Sequence, residues 1–237
     1  MDLEHLFAPP PPGLALGPGE VHVFCAALDL PPARLKFLET HLSADENVRA
    51  ERLVFTRDRN RFIAAHGQLR EILGRLLRAD PSRLAFLAGK YGKPRLARQA
   101  GRPNWQFNLA HSDALMICIV SDQSPVGVDV ERIRPVREAR HLMAHFFSES
   151  ENAVWRAQPL AQQTEAFFER WTRREALLKA VGGSLAQAPS RTGFDAIEDG
   201  ARFSHFSLHR LMPACGYLAT AAIQGAAAPY CWRWVSR

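Results

Sequence analysis

The stretch VGVDVER, at residues 126–132, alternates valine with glycine and acidic residues, which predicts a β-strand. Successive strand side chains point to opposite faces, so the three valines share one face, while Gly127, Asp129 and Glu131 share the other. Two neighbouring carboxylates repel each other unless a cation neutralises them, so their spacing indicates a divalent metal with oxygen ligands. A half-exposed antiparallel strand shows the same alternation without any metal, and the pattern alone leaves both interpretations open.

An earlier stretch of the chain repeats this pattern and predicts an internal duplication. VHVFCAA at 21–27 lies 105 positions before VGVDVER, and LSADENVRAERL at 42–53 lies 105 positions before FSESENAVWRAQ at 147–158. Two copies of one strand-then-helix unit are therefore expected, with a groove between them where a ligand commonly binds. The first copy has Phe24 and Ala26 where the second has its two acids, so only the second copy can hold the metal.

Hydrophobic periodicity predicts the other main elements. Apolar residues recur at helical spacing from Asp58 to Arg78 and again over 167–183, so each copy is expected to contain a long amphipathic helix. Two hairpins are predicted, which pair 114–120 with 126–131 and 216–223 with 230–235. The predicted fold class is α+β, with two pseudo-twofold-related halves, each a small antiparallel sheet packed on a long helix.

Composition and length limit the class of protein. A hydrophobic content of 47% over 237 residues is enough for a substantial core. We expect an irregular proline-rich leader at 1–19, an N-terminal half at 20–125 and a C-terminal half at 126–237. The four cysteines form no C-x-x-C pair, no apolar stretch is long enough to cross a bilayer, and the N-terminus lacks a signal-peptide pattern. These features predict a cytoplasmic protein with free thiols.

The second predicted helix supplies a third acid. At helical spacing, Glu175 falls on the stripe formed by apolar residues such as Phe168 and Leu178, so it is expected on the buried face. A buried carboxylate needs a compensating cation, which is either Lys179 one turn later or a metal shared with the strand acids. An ordinary Glu–Lys helix pair explains the same spacing and stays open as the alternative.

Four motifs occur in the order found in 4′-phosphopantetheinyl transferases, and the chain resembles that family. They are YGKPRL (91–96), FNLAHS (107–112), VGVDVER and FFERWTRREALLKAVGGSL (167–185). Chain length and the two-copy layout resemble the monomeric, surfactin-synthetase-activating type. The resemblance implies a pseudo-twofold α+β protein that binds coenzyme A and Mg²⁺, with Mn²⁺ as the alternative ion, between its halves.

The resemblance also implies roles for individual residues. The strand acids Asp129 and Glu131 and the helix acid Glu175 match the metal ligands, and Glu175 and Lys179 match the catalytic pair. The implied coenzyme A contacts are Arg57, with Arg61 as the alternative, and Lys90, Lys93, Asn108 and His111. Without the resemblance, a solvated turn lysine and a capping histidine would be the simpler interpretations of Lys93 and His111.

Three positions depart from the pattern of the family. Ala110 stands where many relatives have serine, Arg174 replaces the commoner lysine before the helix acid, and Ser184 stands where a second glycine is usual. Arginine keeps the charge but changes the geometry of any contact. None of the three changes removes a metal ligand.

The predicted function is Mg²⁺-dependent transfer of the 4′-phosphopantetheine arm of coenzyme A to a serine hydroxyl of a carrier protein, with release of adenosine 3′,5′-bisphosphate. The carriers implied are the acidic acyl or peptidyl carrier proteins of fatty acid, polyketide or nonribosomal peptide biosynthesis. A net charge of +6 favours such anionic partners. Neither a nucleic acid nor a membrane is expected as a partner.

Two alternative functions stay open. The positive charge and an arginine cluster in the first copy are also typical of a nucleic-acid-binding module. The cluster contains Arg49, Arg52, Arg57, Arg59 and Arg61. The same three carboxylates would also serve another Mg²⁺-dependent phosphotransferase or a nuclease.

Overall fold

The computed structural model describes residues 7–89, 93–97, 105–183 and 205–235. The first part of the chain forms β1 (Val21–Ala27), α1 (Pro32–Glu39), α2 (Ala44–Glu51), α3 (Thr56–Leu77), β2 (Phe86–Ala88), β3 (Pro94–Leu96), β4 (Gln106–Ser112) and β5 (Leu115–Ser121). The second part forms β6 (Val126–Arg132), α4 (Ala139–Phe146), α5 (Glu149–Arg156), α6 (Leu160–Ala180), β7 (Phe206–Leu211), β8 (Tyr217–Gln224) and β9 (Tyr230–Arg233). Within the described ranges, no helix has both the length and the apolar character needed to cross a membrane.

The two parts repeat one arrangement of strands and helices. In the first sheet the order is β4-β5-β1-β9, and in the second it is β7-β8-β6, so β6 takes the place of β1. Each unit opens with a strand, continues through three helices and returns with two more strands of the same sheet. The α+β class predicted from the sequence is confirmed.

Matching helix starts show the repeat at the level of hydrogen bonds. The Ser43 hydroxyl accepts from the amide of Glu46 at 3.3 Å, and the Glu46 carboxylate accepts from the amide of Ser43 at 2.9 Å. Ser148 and Glu151, 105 positions later, form the same capping box at 3.2 and 2.8 Å. Each box satisfies amide groups that a helix otherwise leaves unpaired, so both units begin their second helix in the same way.

The sheets pack through their apolar faces, and a long helix covers the other face of each. One core cluster joins valines of β1 to all three valines of β6, so the alternation in VGVDVER places valine against the first sheet. Helix α3 packs on the first sheet around Phe24, and α6 packs on the second around Ala222. The opposite face of β6, which carries the acids, is therefore turned towards α6.

Both predicted hairpins are wrong, because the strands concerned already have partners on both edges. Strand β5 pairs with β1 and β4, which leaves no edge for β6. Strand β8 likewise pairs with β6 and β7, so β9 does not pair with it. Instead, β9 adds to the open edge of β1 in parallel, and the first sheet is mixed rather than purely antiparallel.

The ends of the chain reach across the units. Residues 7–20 contain no helix or regular strand, yet Phe7 is buried in the core between the sheets. Ala8 forms a bridge with Trp232, whose strand belongs to the first sheet. Strand β9 thus returns to the sheet of the N-terminal half, and the boundary at residue 126 stays a prediction.

Candidate functional site

A close approach of α6 to β6 brings the predicted acids and lysine together. A methyl group added at Gly127 would lie 2.9 Å from the Cα of Ala180, and closer still to the carbonyl oxygen of Ala176. Only glycine fits this contact between strand and helix backbones. The glycine in VGVDVER thus allows α6, which contains Glu175 and Lys179, to pack at a short distance from the strand.

Asp129 is the buried centre of the site. Its side chain is 7% exposed, and the Lys179 ammonium donates a hydrogen bond to its Oδ1 at 2.5 Å. Among the described residues, its buried Oδ2 has no hydrogen-bond partner. Burial raises the pKa of Asp129 to about 7 against the opposing effect of Lys179, and the charges of Glu131 and Glu175 add to the increase. Two further carboxylates thus lie within electrostatic range of the pair formed by Asp129 and Lys179.

The second strand acid is held from the other sheet. Glu131 is half-buried, and its Oε2 accepts a hydrogen bond of 2.7 Å from the hydroxyl of Ser112 at the end of β4. The same hydroxyl accepts from the backbone amide of Arg132 at 3.1 Å. Sequence reasoning missed Ser112, although it is the last residue of the motif FNLAHS.

The three acids fit a divalent cation by their chemistry. All their donor atoms are oxygens, which suit Mg²⁺, and an unpartnered buried oxygen on Asp129 needs a positive partner. Over the ranges that the structure describes, no three His, Cys, Asp or Glu side chains have the spacing that would hold a metal ion. Glu131 and Glu175 lie within electrostatic range of Asp129, and their role as metal ligands stays a prediction.

His111 brings the first unit into the same site. His111 is partly open to solvent, but the protein around it excludes enough water to lower its pKa. Nearby positive charges lower the pKa of His111 further. Those charges belong to His66, Lys179 and Arg61. The structure thus places His111 within electrostatic range of Lys179 in the second unit and of Arg61 on α3.

Arg61 and Arg57 lie on the first turns of α3 in different surroundings. Arg61 is held by Asp29 at 2.7 and 2.9 Å and by Asp113 at 2.7 Å. Arg57 is largely exposed and pairs with its neighbour Asp58 at 3.1 Å. Of the two alternatives, Arg61 is the one that the structure brings near His111.

Lys93 and Asn108 bond to backbone groups of the second unit. The Lys93 ammonium donates to the carbonyl oxygens of Val126 at 2.8 Å and Ala180 at 3.4 Å, and burial lowers its pKa to about 8. Asn108 is buried, and its Oδ1 accepts from the amide of Val128 at 2.9 Å. Both contacts tie the units together, and the coenzyme A roles of these residues stay predictions. Lys90 lies outside the described residues.

Two of the three positions that depart from the family pattern lie within the described residues. Ala110 is buried in the core between the sheets. The guanidinium of Arg174 lies 4.5 Å from the ring centre of Phe147. Its counterpart in the first unit is Arg70, 104 positions earlier, which is also buried and pairs with Glu46 at 2.7 Å. A buried arginine thus occupies the matching position in both copies of the repeat. Ser184 lies outside the described residues.

A groove of about 380 Å³ opens beside Glu131 on the second unit. Its floor contains aromatic side chains of α6, and exposed arginines stand at its rim. These residues are Phe167, Phe168, Trp171, Arg134 and Arg137. An anionic partner with an apolar element would match this surface.

Comparison with family models shows which known proteins the chain is similar to. Residues 125–231 match the model described as the 4′-phosphopantetheinyl transferase superfamily. Residues 31–124 match the model described as 4′-phosphopantetheinyl transferase, N-terminal. The two matches adjoin each other near the start of β6.

Individual relatives carry the same description. The 4′-phosphopantetheinyl transferase HetI of Nostoc sp. is 38% identical over 185 residues, which is 78% of each chain. AcpT of Salmonella typhimurium is 41% identical over 121 residues, which is 51% of this chain and 60% of the relative. Sfp of Bacillus subtilis is 27% identical over 145 residues, which is 61% of this chain and 62% of the relative. The last two alignments span about three fifths of their relatives.

Proposed function

The chain belongs to the 4′-phosphopantetheinyl transferase superfamily, and we propose that it moves the 4′-phosphopantetheine arm of coenzyme A to a serine hydroxyl of an acyl or peptidyl carrier protein. The serine oxygen forms a bond to the phosphorus that carries the pantetheine arm. The pyrophosphate P–O bond breaks, and adenosine 3′,5′-bisphosphate leaves. The serine proton passes to a base on the enzyme.

The observation that supports this proposal is the buried Asp129 of β6, which pairs with Lys179 of α6 and lies within electrostatic range of Glu131 and Glu175. Asp129 is buried with a raised pKa of about 7 because it lacks hydration and has two acids nearby. Such a site favours a polyvalent cation together with an anionic substrate. The residues that would hold Mg²⁺ are Asp129, Glu131 and Glu175, and the bound ion supplies positive charge to the pyrophosphate.

The chain's own residues supply the remaining parts of the reaction. Glu175 is half-buried on the helix face that meets the strand acids, and we assign it as the base for the serine proton. Lys179, with a side chain 26% exposed, can still reach an anionic substrate, and we assign it to the charge that grows on the leaving phosphate. His111 of the first unit lies within electrostatic range of both Lys179 and Arg61, and we assign His111 and Arg61 to the nucleotide side of coenzyme A.

The carrier protein would approach the second unit. The groove beside Glu131 has an apolar floor and arginines at its rim, and the whole chain has a net charge of +6. An acidic carrier protein matches both features. All four cysteines are free thiols, which is typical of the cytoplasm, and we propose that location and a monomeric state.

The proposal is tested by incubating the protein with coenzyme A, Mg²⁺ and a set of apo carrier proteins. Intact-mass spectrometry should show a gain of one phosphopantetheine arm on a carrier. A carrier whose acceptor serine is replaced by alanine, a chelator, and the Asp129→Asn variant should each abolish the gain. Hydrolysis of a nucleic acid or another phosphoester, without any gain on a carrier, would contradict the proposal and favour a different Mg²⁺-dependent enzyme.

A further inference from the structure

We propose that Ser112 is a positioning residue for the metal ligand Glu131 and that it links the first unit to the metal site. The inference rests on the proposed function, because Glu131 is a ligand only if the acids bind a divalent ion. Ser112 would not touch the substrate. Its task is to fix the direction of one Glu131 oxygen.

The geometry gives the serine hydroxyl two defined partners. It donates to Glu131 Oε2 at 2.7 Å and accepts from the amide of Arg132 at 3.1 Å, so its single proton points at the carboxylate. A carboxylate oxygen that already accepts this bond is held in place, and the other oxygen is left for a cation. Partners of this kind behind a ligand typically change metal affinity by about 10–100-fold.

The residue after Ser112 reinforces the same link. Asp113 ends the strand in a left-handed conformation, with φ of +49°, and pairs with both Arg61 and Arg132. Two consecutive residues of the first unit thus hold two consecutive residues at the end of β6. Arg61 is within electrostatic range of His111, which we assign to the nucleotide side of coenzyme A. Ser112 and Asp113 therefore connect that side of the site to Glu131.

The test measures metal binding directly, with Mn²⁺ as the probe and coenzyme A present. Electron paramagnetic resonance of free Mn²⁺ gives the dissociation constant for wild type, Ser112→Ala and Ser112→Thr. We expect Ser112→Ala to weaken Mn²⁺ binding about tenfold or more, and Ser112→Thr, which keeps a hydroxyl, to restore most of the affinity. Ser207→Ala is the matched control, because Ser207 is also a half-buried strand serine whose hydroxyl has two hydrogen-bond partners, Ile223 O at 3.3 Å and His209 Nε2 at 3.2 Å.

A double-mutant cycle separates positioning from general stability. If Ser112 acts through Glu131, then Ser112→Ala should have little further effect on Mn²⁺ binding in a Glu131→Gln background. In transfer assays the Mg²⁺ concentration for half-maximal rate should rise in Ser112→Ala, while coenzyme A binding without metal is unchanged. Melting temperatures of all variants establish that they are folded.

Two results would overturn the inference. One is wild-type Mn²⁺ affinity in a folded Ser112→Ala variant, and the other is an equal loss in the Glu131→Gln background. Failure of the proposed function looks different: wild type would bind Mn²⁺ with coenzyme A, and Ser112→Ala would weaken that binding, but no carrier would gain mass. In that case the positioning role of Ser112 stands without the transferase reaction.

Discussion

Replacing Gly127 by alanine should separate α6 from β6 and with it the two sides of the proposed site. The new methyl group would lie 2.9 Å from the Cα of Ala180 and closer to the backbone of Ala176. Carbon atoms pack at about 3.5–4.0 Å, so the helix has to withdraw by roughly 1 Å. Overpacking of this kind costs about 1–3 kcal/mol in the free energy of unfolding, and backbone contacts favour the upper end. A displacement of about 1 Å at reacting groups lowers a rate by about a hundredfold.

Two measurements on Gly127→Ala test the two halves of this reasoning. Urea denaturation should show a lower midpoint with an unchanged slope, and phosphopantetheine transfer should slow about a hundredfold under conditions where the variant is folded. Gly183→Ala, three residues after the end of the same helix, is the control, because its added methyl group would lie 3.7 Å from the nearest atoms. Wild-type stability of Gly127→Ala would refute the packing argument. Lost stability with an unchanged rate would refute the claim that the contact positions the site.

Four further variants test other parts of the molecule. Asp129→Asn should keep the hydrogen bond from Lys179 and the fold but abolish transfer, and a wild-type rate would remove Asp129 from the site. Glu175→Gln should lower kcat at least about a hundredfold with much of the coenzyme A binding retained, whereas a structural helix pair predicts near-normal transfer. Lys93→Ala should raise the KM for coenzyme A. If Lys93 binds the 3′-phosphate, variant and wild type should have similar KM values for dephospho-coenzyme A, which lacks that phosphate. If the ratio of the two KM values is the same in variant and wild type, that role is contradicted. Burial disfavours the charged form of Glu46, but hydrogen bonds from His66, the Ser43 amide and Arg70 outweigh that effect and lower the pKa of Glu46 to about 2. The contribution of the Glu46 carboxylate to the stability of the fold is therefore complete above pH 4.5 and is lost as the pH falls towards 2. Glu46→Gln should accordingly lose on the order of 3 kcal/mol at pH 7 and little at pH 2, measured by denaturation at both pH values.

The sequence predicts the repeat well because the signals of the repeat are local. The alternation in β6, the helical period of α3 and the serine-to-glutamate spacing of each capping box lie within a few residues of one another. The duplication then predicts the second unit from the first. Glu175 and Lys179 could be placed together with the strand acids because helix spacing and the resemblance to a family pointed to the same residues.

Strand pairing could not be predicted from the same signals, because alternation identifies a strand but not its partner. The predicted partners of β6 and β9 were their neighbours in the chain, yet β5 and β8 have no free edge. Ser112 was missed for a related reason. A serine before an aspartate is typical of a turn, and only the packing of the two units brings it to Glu131.

The two copies differ at the strand that carries the acids in the second unit. In β1 the positions that match Gly127, Asp129 and Glu131 are His22, Phe24 and Ala26. Those three residues are buried, with Phe24 and Ala26 among the large apolar cluster between the first sheet and α3. Among the described residues, the cluster that joins α6 to the second sheet is much smaller.

Replacing a core strand face with glycine and acids therefore has two effects at once. It removes apolar volume beneath the helix, so the helix can approach the strand closely enough for Lys179 to reach Asp129. It also removes much of the apolar burial that would hold α6 in place. Contacts from the first unit compensate for that loss: the valine core between the sheets, Asn108 on Val128, and Ser112 on Glu131 all hold β6 from outside its own unit. The unit with the larger apolar core thus holds the strand that carries the acids.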